Sequence, residues 1–257
     1  SLNAASKDLQ ASVKERAARG ELAETDEVRT NAVLEKLAET EATITGDSQR
    51  ARADRVSIGL TREMLTLANA IAKENRELAA AGGVEVGESD TPESLKPRLA
   101  LLEALRVRQS EMVRLLRSLR SELTVRMKAA DVQEDVARNS TESFLAGVNT
   151  APALEFQLAN ERFLSKAHEV LALLVDTPGW TPDGRGGVTY ADAGLQRRFG
   201  DLWTEWDRLL EEMARRQREM LGVEVGSEEP PSPASITPPP PPSPGSEGDS
   251  EAEPGAR

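Results

Sequence analysis

The first 143 residues contain no phenylalanine, tyrosine or tryptophan. Aromatic side chains supply much of the buried area of an ordinary core, so this stretch must fold on aliphatic contacts alone. It is built from Ala, Leu, Glu, Arg, Val and Thr, a composition suited to long helices that bury a narrow seam. All eight aromatics lie beyond it: Phe144, Phe156, Phe163, Trp180, Tyr190, Phe199, Trp203 and Trp206. The composition therefore divides the chain in three. Residues 1–143 read as an elongated helical arm with breaks near 46–50 and 82–92. Residues 144–222 read as a compact helical hairpin region, and 223–257 as a disordered, Pro-rich acidic tail.

Two seams define the arm. The first reads Leu60, Met64, Leu67, Ile71, Glu74 and Leu78, with spacings that alternate between four and three. That is the a/d pattern of a coiled coil. It stops at Gly82–Gly83, a helix-ending signal. Thr91 reads as an N-cap with Pro92 in the first helical position. The second seam follows: Leu102, Leu105, Gln109, Met112, Leu116, Leu119 and Leu123, continuing weakly through Arg126, Ala130 and Ala137. The pattern predicts one helix of about 45–50 residues, roughly 70 Å long at the usual rise. Such a helix needs a partner along its whole length. The segment at 57–81 is the nearest candidate for an antiparallel hairpin, and it is shorter. The far half is then left to residues 1–45 or to another chain. Residues 1–45 carry a partial seam, Leu34, Leu37 and Ile44, interrupted at Gly20 and Gly46–Asp47–Ser48.

Charge is segregated along the arm. Residues 21–47 hold eight acids and two bases, whereas 96–128 hold nine bases and three acids. At the helical turn angle, Arg106, Arg114, Arg117, Arg120 and Lys128 fall in one sector, about 120° from the apolar seam. A basic stripe of this kind suits an acidic partner, RNA, DNA or an anionic membrane. Its alternatives are a solvated face, or pairing with the chain's own acidic 21–47 segment. No aromatic interleaves with these bases, so stacking on nucleobases is not available there.

In the compact region, Phe156, Asn160, Phe163, Ala167, Val170 and Leu174 repeat the four–three spacing, as do Leu195, Phe199, Leu202, Trp206, Leu209 and Met213. Two helices, roughly 153–175 and 191–221, are expected to pair. Pro182–Asp183–Gly184 marks a turn. Trp180–Thr181 opposite Val188–Tyr190 would make a very short hairpin, with an ordered loop as the alternative. Trp203 and Trp206, a turn apart, are core anchors or interface hot spots. The tail holds ten of the fifteen prolines, five of them consecutive at 238–242. Such a run favours polyproline II and suits SH3 or WW surfaces. Ser232, Thr237 and Ser243 each precede a proline and fit proline-directed phosphorylation.

The chain has no cysteine and one histidine, His168. Thiolate metal sites, cysteine nucleophiles and multi-histidine sites are thereby excluded. No acid–base pair sits in a pocket-forming context and no phosphate loop is present, so neither enzymatic activity nor a cofactor is expected. A net charge of −12 argues against general nucleic-acid binding. No apolar run reaches the ~20 residues of a membrane span, and no signal-peptide pattern is visible. The expected fold class is all-α: an elongated antiparallel coiled-coil or helical-hairpin arm plus a small helical bundle and a disordered tail. The expected function is that of a non-catalytic structural subunit of a eukaryotic intracellular assembly, nuclear or cytoplasmic, of the kinetochore, spindle or tether type. It would bind other coiled-coil chains through Leu60, Met64, Leu67, Ile71, Leu102, Leu105, Met112, Leu116, Leu119 and Leu123, with hetero-assembly favoured over a homodimer. The alternatives are a dimerising adaptor that recruits SH3 or WW modules through the tail, and a binder of nucleic acid or anionic membrane through the 106–128 stripe.

Overall fold

The computed structural model describes residues 27–148 and 150–222, together with residues 11 and 13–15. Six helices and one hairpin are built from them. They are α1 Glu27–Thr43, α2 Gln49–Ala80, α3 Pro92–Ala129, α4 Glu134–Val148, α5 Thr150–Asp176, β1 Trp180–Pro182, β2 Val188–Tyr190 and α6 Ala193–Leu221. The Pro-rich tail, with Ser232, Thr237 and Ser243, lies outside the described residues, as does most of the segment before α1.

Local sequence sets most helix ends. The Ser48 hydroxyl accepts from the Ala51 amide at 3.2 Å, which starts α2 earlier than the apolar seam begins. Thr91 and Ser94 form a reciprocal capping box ahead of α3, at 3.2 and 2.9 Å. Asp192 caps α6 by accepting from the Leu195 amide at 2.8 Å. At the end of α2, Gly82 adopts φ 102°. The Gly82 and Gly83 amides then reach back to Ala79 and Leu78 carbonyls, at 3.0 and 2.8 Å, the Schellman closure that a left-handed residue permits.

The single helix of about 45–50 residues expected from the second seam is not formed. It breaks at Asp131, a non-glycine residue at φ 53°. The Asp131 amide donates to the Lys128 carbonyl at 3.1 Å and the Val132 amide to Met127 at 3.0 Å. This is again a Schellman closure, and buried Val132 and Met127 belong to one apolar cluster. Arg52 holds the turn from across the fold, its Nη1 donating to the Asp131 carboxylate at 2.9 Å and the Asp131 carbonyl at 3.2 Å. Aspartate tolerates the left-handed region better than most residues, and the guanidinium supplies the rest. The seam also departs from the expected Arg126, Ala130 and Ala137. Met127 is fully buried, whereas Arg126 turns to Glu63 at 2.8 Å.

The helices pack in the order α1, α2, α3, α5, α6, each antiparallel to the one before. Glu27 meets Arg76 at 2.5 Å and Asn31 meets Asn69 at 3.0 Å, pairing α1 with α2. Glu74 lies beside Arg108 and Glu63 beside Arg126, pairing α2 with α3. Ser110 reaches Glu161 at 2.7 Å, pairing α3 with α5. Arg162 reaches Glu212 at 2.9 Å, pairing α5 with α6. The far half of α3, for which the sequence offered residues 1–45 or another chain, is covered by the first turns of α2 and by α4, both of which pack on it. Residue 143, where the composition changes, lies within α4, and α3 and α5 on either side of it contribute to one apolar cluster.

The loop between α2 and α3 closes the opposite end. Its Val84 and Val86 are buried, and the Val86 amide donates to Gly186 in the hairpin turn at 2.7 Å. The hairpin itself pairs Trp180 with Tyr190 and Pro182 with Val188, and Trp180 Nε1 donates to the Leu174 carbonyl at 2.8 Å. Asp90 locks the loop. It accepts from the Gly87 amide, the Ser94 hydroxyl and Arg98 at 2.8 to 3.0 Å, and Arg98 also donates to the Glu85 carbonyl at 2.8 Å. Burial raises the Asp90 pKa, but the Gly87, Ser94 and Arg98 donors outweigh it and hold the carboxyl below its usual value. A depressed carboxylate pKa stabilises the fold above the unfolded value near ~4 and loses that contribution as pH falls through the folded value. Asp90→Asn should therefore lower Tm at pH 7, with the gap to the parent closing below pH ~4. Thermal melts of both proteins across pH check this; a gap that persists at low pH would count against the carboxylate as its source.

Candidate partner-binding surfaces

The residues chosen from the apolar seams sit inside the chain's own packing. Leu60, Leu102, Leu105 and Leu123 are 0% exposed, and Ile71, Met112, Leu116 and Leu119 are also buried. Met64 and Leu67 are half-buried against the same cluster. The seam of α2 faces that of α3, so these leucines are occupied by intramolecular contacts.

The two polar seam residues have different partners. Gln109 is fully buried. Its Nε2 donates to the Gln157 carbonyl at 2.9 Å and to Gln157 Oε1 at 2.6 Å. Asn160 Nδ2 donates to Gln109 Oε1 at 2.9 Å. This network ties one level of α3 to one level of α5, the register-setting use of a buried polar group. Glu74 lies 3.5 Å from Arg108 Nε, with its other oxygen enclosed and unpaired.

The basic stripe of α3 is divided. Arg106 pairs with Glu103 on its own helix at 2.7 Å. Arg120 reaches Glu142 of α4 through two contacts, at 2.5 and 3.3 Å, and the hydrogen bond from Arg120 holds the Glu142 carboxyl below its usual pKa. Arg114, Arg117 and Lys128 are exposed and make no ion pair among the described residues. The acidic α1 does not neutralise them. Glu27 and Glu41 are spent on Arg76 and Arg62 of α2.

Trp203 and Trp206 are half-buried within a row of rings. Trp206 stacks on Phe163 with centroids 5.8 Å apart. Trp203 lies 5.0 Å from Trp206 and 5.5 Å from Phe199, and Phe199 lies 6.3 Å from Tyr190. The row ties α6 to α5 and to the hairpin. The Trp206 indole nitrogen is enclosed without a hydrogen-bond acceptor.

His168 lies 3.3 Å from Glu103, linking α5 to α3. Among the described residues, no three His, Asp or Glu side chains gather as a metal site would require. No described helix is long and apolar enough to cross a membrane.

The second face of α3 went unread in the sequence because most of it is polar. Val107 and Val125 are 52% and 64% exposed. They bracket Glu111, Arg114, Ser118 and Ser121 at alternating four- and three-residue steps. That spacing is the sequence signal of this face, and the apolar seam on the opposite face is the stronger one.

These features define an antiparallel helical array closed by a small β-hairpin, with one long helix carrying uncompensated positive charge. No known protein family, curated protein or solved structure matches the chain.

Proposed function

We propose that this chain is a non-catalytic helical subunit of a multiprotein assembly. In this reading α2, α3 and α4 form a coiled-coil-like arm, and α5, α6 and the hairpin form a small bundle that braces it. The partners are other helical chains. They would meet the outer faces of the helices, because the leucine seams are already buried against one another.

The observation that supports the reading is the outer face of α3. This helix has 38 residues and spans roughly 57 Å at the standard rise. It carries Arg114, Arg117 and Lys128 without ion-pair partners, next to exposed Val107 and Val125. Exposed apolar side chains set among uncompensated like charges suit a face that is covered by a partner of opposite charge.

The test is the mass of the full-length chain in two preparations. Expressed alone, it should scatter light as a monomer of 27.8 kDa. Purified by an affinity tag from its own cells, it should appear by native mass spectrometry in a complex of fixed stoichiometry. Recovery of the bare monomer from both sources would overturn the proposal.

A further inference from the structure

Resting on the subunit reading, we infer that the groove between α2 and α3 is the docking seat for an acidic amphipathic helix of a partner chain. The groove encloses about 640 Å³ and opens to solvent. Its α2 wall presents Gly59, Glu63, Thr66 and Ala70, at steps of four, three and four residues. Gly59, Thr66 and Ala70 in this heptad-spaced stripe are small, and Arg62 and Leu67 line the same wall beside them. Its α3 wall presents Arg108, Glu111, Arg114 and Leu115, with Ser118, Ser121 and Val125 continuing the outer face of the same helix.

Three properties fit the seat to a helix. First, small residues let a helix axis approach closely, and the two walls repeat at the spacing that accepts knobs from a third helix. Gly59 lies in the middle of α2, where glycine costs roughly 0.5–1 kcal/mol relative to alanine. A Cβ built there meets nothing within 4 Å, so packing inside the chain does not demand the glycine. Second, the serines beside the groove are ready to lose water. The Ser118 hydroxyl donates to the Arg114 carbonyl at 3.0 Å and Ser121 to the Ser118 carbonyl at 2.7 Å. Their hydroxyl protons are already satisfied within α3, which lowers the cost of covering them.

Third, the charge selects the occupant. Arg62 is paired with Glu41, Glu63 with Arg126, and Arg108 with Glu74 and Glu111. That leaves Arg114 as the charged lining residue with no ion-pair partner among those described, and Arg117 follows it on α3. A second copy of the same surface would set these bases against each other. Nucleic acid would find no aromatic in either wall and an apolar floor at Leu67 and Leu115. A helix with a leucine seam flanked by glutamates satisfies both the floor and the rim.

The probe is a pair of labelled synthetic helices of about three heptads with leucine at a and d, one with glutamate and one with lysine at e and g. Fluorescence anisotropy on the full chain should show the acidic helix binding at least about tenfold more tightly than the basic one. Gly59→Gln should weaken the acidic helix by about tenfold or more by filling the groove, while its own Tm stays level or rises. Arg114→Glu should weaken it similarly and narrow the preference for the acidic peptide. Because the chain has no cysteine, Thr66→Cys carries a single benzophenone label, which should cross-link to the bound peptide. Equal binding of the two peptides, parental affinity in Gly59→Gln, or cross-links running instead to a second copy or to residues 1–26 would each overturn the inference. The subunit reading fails separately. If Gly59→Gln leaves a natively purified assembly intact, the groove is excluded and the subunit survives.

Discussion

Replacing Leu123 by alanine destabilises the chain by about 2–5 kcal/mol, the range for a fully buried leucine that leaves a cavity. Leu123 is 0% exposed, and ion pairs on either side of it, Arg120–Glu142 and Arg126–Glu63, bring α4 and α2 to this level. Three helices converge there, so collapse around the missing methyls is restricted and the cost belongs toward the upper part of the range. For a domain of this size each kcal/mol moves Tm by roughly 2–4 °C, so the expected drop is of the order of 10 °C. Val125, two residues on, is 64% exposed, and Val125→Ala should change stability by no more than about 0.5 kcal/mol. Thermal melts of the pair by circular dichroism separate the two faces of α3. Similar melting temperatures for the two variants would mean that the seam does not close within the chain. The contrast also assigns roles: Leu123 acts through folding, whereas an effect of Val125 on assembly would act through a partner.

Breaking the Gln109 network has the second largest expected effect. Gln109→Leu strips the Asn160 amide of its acceptor and the Gln157 side-chain oxygen of its donor. An unsatisfied buried group costs about 1–3 kcal/mol, so this variant should lose about that much or somewhat more. Asn160→Leu leaves only Gln109 Oε1 without its donor and should lose less. The double variant replaces both ends with apolar groups and should recover much of the loss, because an apolar pair of similar volume carries no desolvation penalty. The coupling between the two sites should fall at about 0.5–3 kcal/mol, measured by denaturant melts over the four-member cycle. Strict additivity would show that the hydrogen bonds across α3 and α5 do not act as a unit. A double variant that recovers is the one in which to look for slippage, since Ser110–Glu161 and His168–Glu103, both outside the buried core, would remain as the polar contacts that mark the level at which α5 lies on α3.

The legible part of this fold is the part written within a few residues. The end of α2 at Gly82–Gly83, the N-cap at Thr91, the turn at Asp183–Gly184 and the seams of α5 and α6 are set by neighbours three or four positions away. The antiparallel pairing of α2 with α3 follows from the short loop between them. The candidate surfaces were less legible. The leucines that look most like a partner seam are buried by the chain itself. The stripe of α3 that remains open is masked by arginines and serines in the same helix.

What the sequence by itself determined is therefore the all-helical class, the heptad-spaced faces and most of the helix ends, because periodicity and capping are local. What only the tertiary structure decided is where those faces go. The break at Asp131 depends on Arg52, 79 residues away. Met127 displaces Arg126 from the seam because Glu63 of α2 draws the guanidinium aside. Glu27 and Glu41 of α1 turn to Arg76 and Arg62 rather than to the stripe on α3. Each of these choices compares contacts between segments far apart in the chain, and their relative energies exist only once the helices are packed.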